Sequence, residues 1–333
     1  MTARALKILI SESGGFSIVA AAQLRQVGEL TLADLDRPSL LASLQDIDVL
    51  WVRLRHRIDA EVLANAPRLK IIVTATTGLN HIDLEEAARR GIQVLSLRGE
   101  TAFLQDVRGT AEHTVALALA LLRRLPTAVA HVLDGGWNRD MFRGHELYAK
   151  TVGVVGYGRL GRLVARYLTA FGVRILFSDP HLDAAPNETG AEQVSLERLL
   201  EESDLVTLHV DLNSKTRSFL GADQFAAMKQ GAFLVNTSRG EVIEESALLH
   251  ALRSGRLDGA ALDVLCDERS EGMEGHPLVA YAREHDNLIL TPHIGGCTFE
   301  SMEKTEIFLA QKLIRADSLS DENPSVSTTP WTL

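Results

Sequence analysis

Cysteine is almost absent from this chain: Cys266 and Cys297 are the only two in 333 residues. Two thiols give no disulfide framework, and neither sits in a CxxC pattern, so no metal site is expected. Long apolar runs are lacking too. The longest candidate, residues 114–122, falls well short of the roughly 20 residues that span a bilayer and reads as a buried helix. Basic residues are in deficit, 34 Lys and Arg against 44 Asp and Glu, for a net charge of −10. That balance argues against a broad nucleic-acid surface, which needs clustered positive charge. It leaves room for a small basic pocket that takes an anionic ligand. No signal peptide is recognisable at the N-terminus, so a reducing cytoplasm is the expected compartment. Neither a nucleic acid nor a membrane is an expected partner.

What the chain does hold is a repeating rhythm. Its length suffices for two domains with separate cores. In the N-terminal third, short apolar strands at 7–10, 49–52, 70–74 and 93–96 alternate with helices at 18–27, 60–66 and 84–90. Gly91 marks the end of the last of these helices. A long apolar helix is predicted over 110–125, then an extended connector over 133–150. A second series starts at Thr151, with strands at 152–155, 174–177, 205–208, 232–235, 260–263 and 288–290. A helix over 299–316 and a loosely ordered polar tail from Asp317 close the chain. Alternating strands and helices predict parallel sheets covered by helices. Six strands suit a complete doubly wound dinucleotide-binding domain. The expected fold is therefore α/β, with two doubly wound parallel-sheet domains: a Rossmann-type cofactor domain and a smaller flavodoxin-like domain.

The segment Val152-Gly153-Val154-Val155-Gly156-Tyr157-Gly158-Arg159-Leu160-Gly161 reads as strand, glycine loop and helix start. Gly156 permits a tight turn, Gly158 lets the backbone approach a pyrophosphate, and Gly161 lets the helix pack close to the strand. The helix N-terminus then offers N–H groups to the phosphates. Asp179 ends the next strand, 18 residues past Gly161, where an acid binds the ribose 2′-OH. A carboxylate there repels a 2′-phosphate, so the expected cofactor is NAD rather than NADP.

Three polar clusters follow apolar strands of the second series: Asn236-Thr237-Ser238-Arg239-Gly240, Cys266-Asp267-Glu268, and Thr291-Pro292-His293-Ile294-Gly295-Gly296. Ligands bind beyond the carboxyl ends of such strands, so Arg239, Glu268 and His293 are expected beside the nicotinamide. Glu268 shares an acidic loop with Asp267 and Glu271 and is chosen by its spacing from Asp263.

Together, GYGRLG, the acid at Asp179, NTSRG, ALDV followed by Glu268, and TPHIGG resemble the D-isomer-specific 2-hydroxyacid dehydrogenase family in order and spacing. The resemblance covers nearly the whole chain. It implies hydride exchange between nicotinamide C4 and C2 of a D-2-hydroxyacid or 2-oxoacid. It also implies a substrate-binding domain from 1–106 with 299–333, an NAD-binding domain over 107–298, and a homodimer built through 110–150. His293 would move the hydroxyl proton, Glu268 would favour its charged form, and Arg239 would clamp the substrate carboxylate. The implied cofactor contacts are Thr77, Gly156, Tyr157, Gly158, Arg159, Leu160, Gly161, Asp179, His209, Val210, Thr237, Ser238, Asp263, His293 and Gly295. For Asp263 the alternative task is to order its own loop. Substrate contacts implied besides Arg239 and His293 are Arg53, Thr76, Thr77 and Gly78, with the amides around Thr77 and Gly78 on the carboxylate. Trp137 resembles a position that reaches across a dimer; packing within the connector is its alternative.

Several positions depart from the family pattern. Thr76 replaces a frequent glycine, Asp211 and Arg269 stand where proline is common, and residues 97–103 are unlike the commonest subgroup. These bear on the substrate more than on the reaction. Arg53, Arg55 and Arg57 alternate around His56, and would share one side if the strand continued; Arg98 could join them. Two readings stay open: a second substrate anion such as phosphate, or a solvated positive edge that offsets nearby acids. A formate or phosphite dehydrogenase relative and an NAD-sensing corepressor or scaffold are the rival functions.

Overall fold

The computed structural model describes residues 5–182, 190–268 and 272–322. Arg269 and Glu271 lie outside these, as does the tail beyond Glu322. The chain divides into two compact units, Met1–Val107 with Phe299–Leu333, and Arg108–Thr298. Each is built on a parallel sheet, so the α/β class and the two doubly wound sheets are present.

In the first unit the strands are β1 Leu6–Ile10, β2 Gly28–Leu32, β3 Val49–Val52, β4 Ile71–Thr74 and β5 Gln93–Leu95. They pair in the order β2-β1-β3-β4-β5. Four strands were expected. The additional one, β2, lies at the sheet edge and is half to fully exposed, so no apolar run marks it. The central strands are buried on both faces, and alternate residues feed two layers. Ile8, Ile10, Trp51 and Val73 pack with Leu309 and Leu313 of helix Phe299–Glu322. Leu9, Leu50, Val52 and Ile72 pack with Leu40, Leu63 and Ile82 on the other side. The last helix therefore completes the core of the first unit. It continues to Glu322, where a loose tail from Asp317 was expected.

The second unit holds β6 Thr151–Val155, β7 Arg174–Ser178, β8 Glu192–Gln193, β9 Leu205–Leu208, β10 Ala232–Asn236, β11 Leu257–Leu262 and β12 Leu288–Leu290. Their order is β12-β11-β10-β9-β6-β7-β8, all parallel. The strand not foreseen, β8, is a two-residue exposed edge. Strand order reverses at β6 and β9 here, and at β1 and β3 in the first unit. Such reversals open crevices at the carboxyl ends.

The helix expected over 110–125 ends at Leu122, and a second helix that was not foreseen follows it. Gly109–Leu122 packs Leu117, Ala118 and Leu121 under the second sheet. Arg124 then adopts a left-handed φ of 52°, and Leu125–Leu133 starts afresh with Pro126 in its first turn. That second helix fills the stretch before the expected connector and buries none of its residues. No single helix among the described residues is long and apolar enough to cross a membrane.

Candidate active site

The glycine loop explains its own composition. Gly156 takes a φ of 87°, and an added Cβ would lie 2.6 Å from the His209 carbonyl oxygen, so only glycine fits there. A Cβ on Gly161 would collide with the Gly156 carbonyl oxygen, which is how closely helix Arg159–Thr169 seats on the turn. Gly158 is different: no heavy atom stands within 4 Å of an added Cβ, so the space before it is open. The amides of Gly158, Leu160 and Gly161 have no acceptor among the described residues. This is a cradle of donors at a helix N-terminus, suited to a pyrophosphate. The Asp179 carboxylate accepts the Tyr157 and His181 amides, each at 2.9 Å, which fixes it beside the loop. Each of its oxygens keeps acceptor capacity for a ribose hydroxyl. Tyr157 was expected at the cofactor, yet its ring is buried and stacked on Phe177 at 3.9 Å between centroids. What its side chain brings is packing. His209 and Val210 wall the turn. His209 Nε2 meets the Thr207 hydroxyl at 2.9 Å, its Nδ1 is buried without a partner among the described residues, and burial pushes its pKa down to about 3.

Beyond β10, the Asn236 side chain ties its turn together, accepting the Ser238 amide and hydroxyl and donating to the Arg239 carbonyl. Thr237 and Ser238 are buried, Thr237 bonding the Thr114 hydroxyl at 2.8 Å. Arg239 is half-buried, with one guanidinium nitrogen 2.5 Å from the Ser238 carbonyl oxygen. A Cβ on Gly240 would collide with Leu265, so the loops after β10 and β11 touch backbone to backbone.

Asp263, just past β11, uses both oxygens within the protein. Oδ1 accepts from the Thr291 hydroxyl at 2.6 Å, the Ile294 amide at 2.9 Å and His113 Nε2 at 3.2 Å. Oδ2 accepts from the Gly295 amide at 2.8 Å. Burial opposes its ionisation, but these hydrogen bonds outweigh it and hold the carboxyl below the usual range. Ordering the loop after β12 is the task this geometry gives Asp263 and the Gly295 amide. That loop carries His293, whose Nδ1 lies 2.5 Å from Glu268 Oε1. Both side chains are 21 % exposed. With Nδ1 bound to a carboxylate, the Nε2 lone pair is left for a reacting group. Cys266, two residues from Glu268, is no rival nucleophile. Burial, with Glu245 and Glu241 nearby, pushes its thiol to about 12.

In the first unit, Thr76 folds its hydroxyl back onto the Gly78 carbonyl at 2.8 Å. The amides of Thr77 and Gly78 have no acceptor among the described residues. They follow β4, and Arg53 follows its neighbour β3. That strand stops at Val52, so the strand alternation that would put the three arginines on one side does not extend to them. Arg53 pairs with Glu306 at 2.6 Å, Arg55 with Asp34 at 3.2 Å, and Arg57 and Arg98 are exposed. His56 is buried, which lowers its pKa. Trp137 is 90 % exposed and does not pack within the connector.

Residues 115–295 match the family model described as D-isomer specific 2-hydroxyacid dehydrogenase, NAD binding domain. The chain belongs to the D-isomer-specific 2-hydroxyacid dehydrogenase family. It is an NAD-dependent enzyme of that family. It is 40 % identical over 291 residues to glyoxylate reductase from Pyrococcus furiosus, covering 84 % of this chain and 82 % of that one. To D-3-phosphoglycerate dehydrogenase from Methanocaldococcus jannaschii it is 38 % identical over 293 residues, 87 % of this chain but 54 % of that longer protein. The crystal structure of D-lactate dehydrogenase from Aquifex aeolicus, complexed with NAD and lactic acid, matches with a TM-score of 0.81 at 29 % identity, over 95 % of this chain and 96 % of that one.

Two contributors to this dehydrogenase escaped sequence reasoning. His113 sits in the helix read as long and apolar, yet it bonds both Asp263 and Thr291. The polar run Glu112-His113-Thr114 inside that helix was the available signal. Glu12 accepts the amides of Arg53 and Arg55, a pairing that local pattern does not announce.

Proposed function

We propose that this dehydrogenase interconverts a small monocarboxylic 2-oxoacid of the glyoxylate class and its D-2-hydroxyacid. The supporting observation is that Arg53 and Arg55, which a second substrate anion would need, already face Glu306 and Asp34. Of the two readings of these arginines, offset of nearby acids fits better than a phosphate site.

Bound NAD supplies the hydride acceptor or donor. The amides of Gly158, Leu160 and Gly161 would hold its pyrophosphate, and Asp179 would hold its adenine-side ribose. His293 Nε2 takes the substrate hydroxyl proton in oxidation and returns it in reduction, and Glu268 favours the charged imidazole. Arg239 clamps the carboxylate and polarises the C2 oxygen with its donor fork. The open amides of Thr77 and Gly78 offer further donors for an anionic substrate group. Residues up to Val107, with the last helix, act as the substrate-binding unit. A second copy of the chain covers the exposed apolar side chains of Leu125–Leu133 and Trp137, making a homodimer. A cytoplasmic location suits Cys266 and Cys297, which form no disulfide with each other.

The test is NADH oxidation with glyoxylate, pyruvate, 2-oxoglutarate and 3-phosphohydroxypyruvate. Higher kcat/KM is expected for the two monocarboxylates. Preference for the phosphorylated acid would overturn the substrate assignment. Tight NADH binding without turnover of any acid would favour the scaffold.

A further inference from the structure

Arg53 is held more firmly than a substrate-binding arginine needs to be. One guanidinium nitrogen lies 2.6 Å from Glu306 Oε1, and another donates to the Gly14 carbonyl at 2.7 Å. Glu306 comes from the last helix and its side chain is 1 % exposed, against 20 % for Arg53. Its other oxygen accepts the Ser17 amide at 2.7 Å, so the carboxylate is pinned from two sides. Glu12, also buried, takes the amides of Arg53 and Arg55 at 2.8 and 3.1 Å. Counting Asp34 on Arg55, each guanidinium meets one carboxylate, and Glu12 holds the backbone of both arginines. Both arginines are thus engaged at the carboxyl end of β3, beside the strand that leads to Thr77 and Gly78.

We propose that Glu306 is a specificity-determining residue that withholds Arg53 from the substrate and so selects against 2-oxoacids carrying a second negative charge. The proposal rests on the monocarboxylate reading above. Releasing Arg53 to a second substrate carboxylate would strand Glu306 as an unpaired buried charge, which is strongly unfavourable. A dianion that leaves the pair intact finds Arg53 and Arg55 already engaged by carboxylates, with the buried charges of Glu306 and Glu12 behind them. Exclusion by an unmatched charge is a common route to discrimination.

The experiment compares pyruvate with oxaloacetate, which adds one carboxylate, using NADH as reductant. In Glu306→Gln the oxaloacetate-to-pyruvate ratio of kcat/KM should rise by about tenfold, the scale of relieving a like-charge contact in a partly exposed site. The gain should appear in KM for oxaloacetate, with pyruvate turnover little changed. Glu306→Asp, which keeps the charge, should retain the parent's low ratio; a merely structural role would not separate Gln from Asp. An unchanged ratio in folded Glu306→Gln, with pyruvate still reduced, overturns this proposal alone. A parent that prefers oxaloacetate overturns the monocarboxylate reading as well. Should Glu306→Gln fail to fold, added salt tests the parent directly. Its ratio should stay flat or rise with ionic strength, whereas a steep fall would show that Arg53 attracts the second carboxylate and sink the idea.

Discussion

His293 holds a backbone conformation that few residues other than glycine adopt, with a φ of 53°. For an L-residue this costs on the order of 1–2 kcal/mol. The amide of His293 donates to the Asp263 and Thr291 carbonyls, and Asp263 grips the next two amides, so the loop is over-determined. The left-handed turn aims the imidazole so that Nδ1 meets Glu268. Replacing His293 with Ala should lower turnover by about 10²-fold or more, the usual contribution of a positioned acid–base group. NADH affinity, read by fluorescence, should stay within a few-fold. Near-normal turnover would remove His293 from the chemistry.

At the scale of elements, legibility followed burial. Strands covered on both faces, such as β3 and β10, are apolar runs that any reading finds. Edge strands β2 and β8 are exposed, carry no run and were missed. The break at Arg124 was legible in principle, because Pro126 favours the first turn of a new helix. Arg239, Glu268 and His293 stood out because polar residues after buried strands are conspicuous. Their supports did not: Glu306 reaches Arg53 across 253 residues of sequence, and no local pattern encodes that. Helix Leu125–Leu133 carries its own prediction. Val129 is 57 % exposed and Leu133 81 %, an apolar face that water should not be left to cover. Val129→Asp with Leu133→Asp should shift the protein toward monomer in sedimentation analysis, with its melting temperature little changed. A parent that is already monomeric would disprove the dimer.

For the whole molecule, the clearest pH dependence comes from His209. Burial lowers its folded pKa to about 3, while the unfolded chain titrates near 6.5. Between those values the unfolded state binds the proton and the folded state does not. Stability is therefore full above about pH 6.5 and declines as the pH falls toward 3. Urea unfolding without added nucleotide should show the parent losing on the order of 1–2 kcal/mol between pH 6.5 and 5 through this group. His209→Asn should flatten that limb; equal slopes in both proteins would mean His209 is protonated in the fold. The lone Nδ1 is thus a cost accepted beside the glycine turn, not a contribution to stability at low pH.

Helix Phe299–Glu322 also sets a schedule. The second unit is contiguous from Arg108 to Thr298, so every residue of its core has been synthesised before that helix begins. Ile8, Trp51 and Val73 are made early, but Leu309 and Leu313 arrive last to cover them. The unit whose sheet is made before the second unit must finish after it, and until then one apolar face of that sheet waits for a helix that follows the whole of Arg108–Thr298 in the chain.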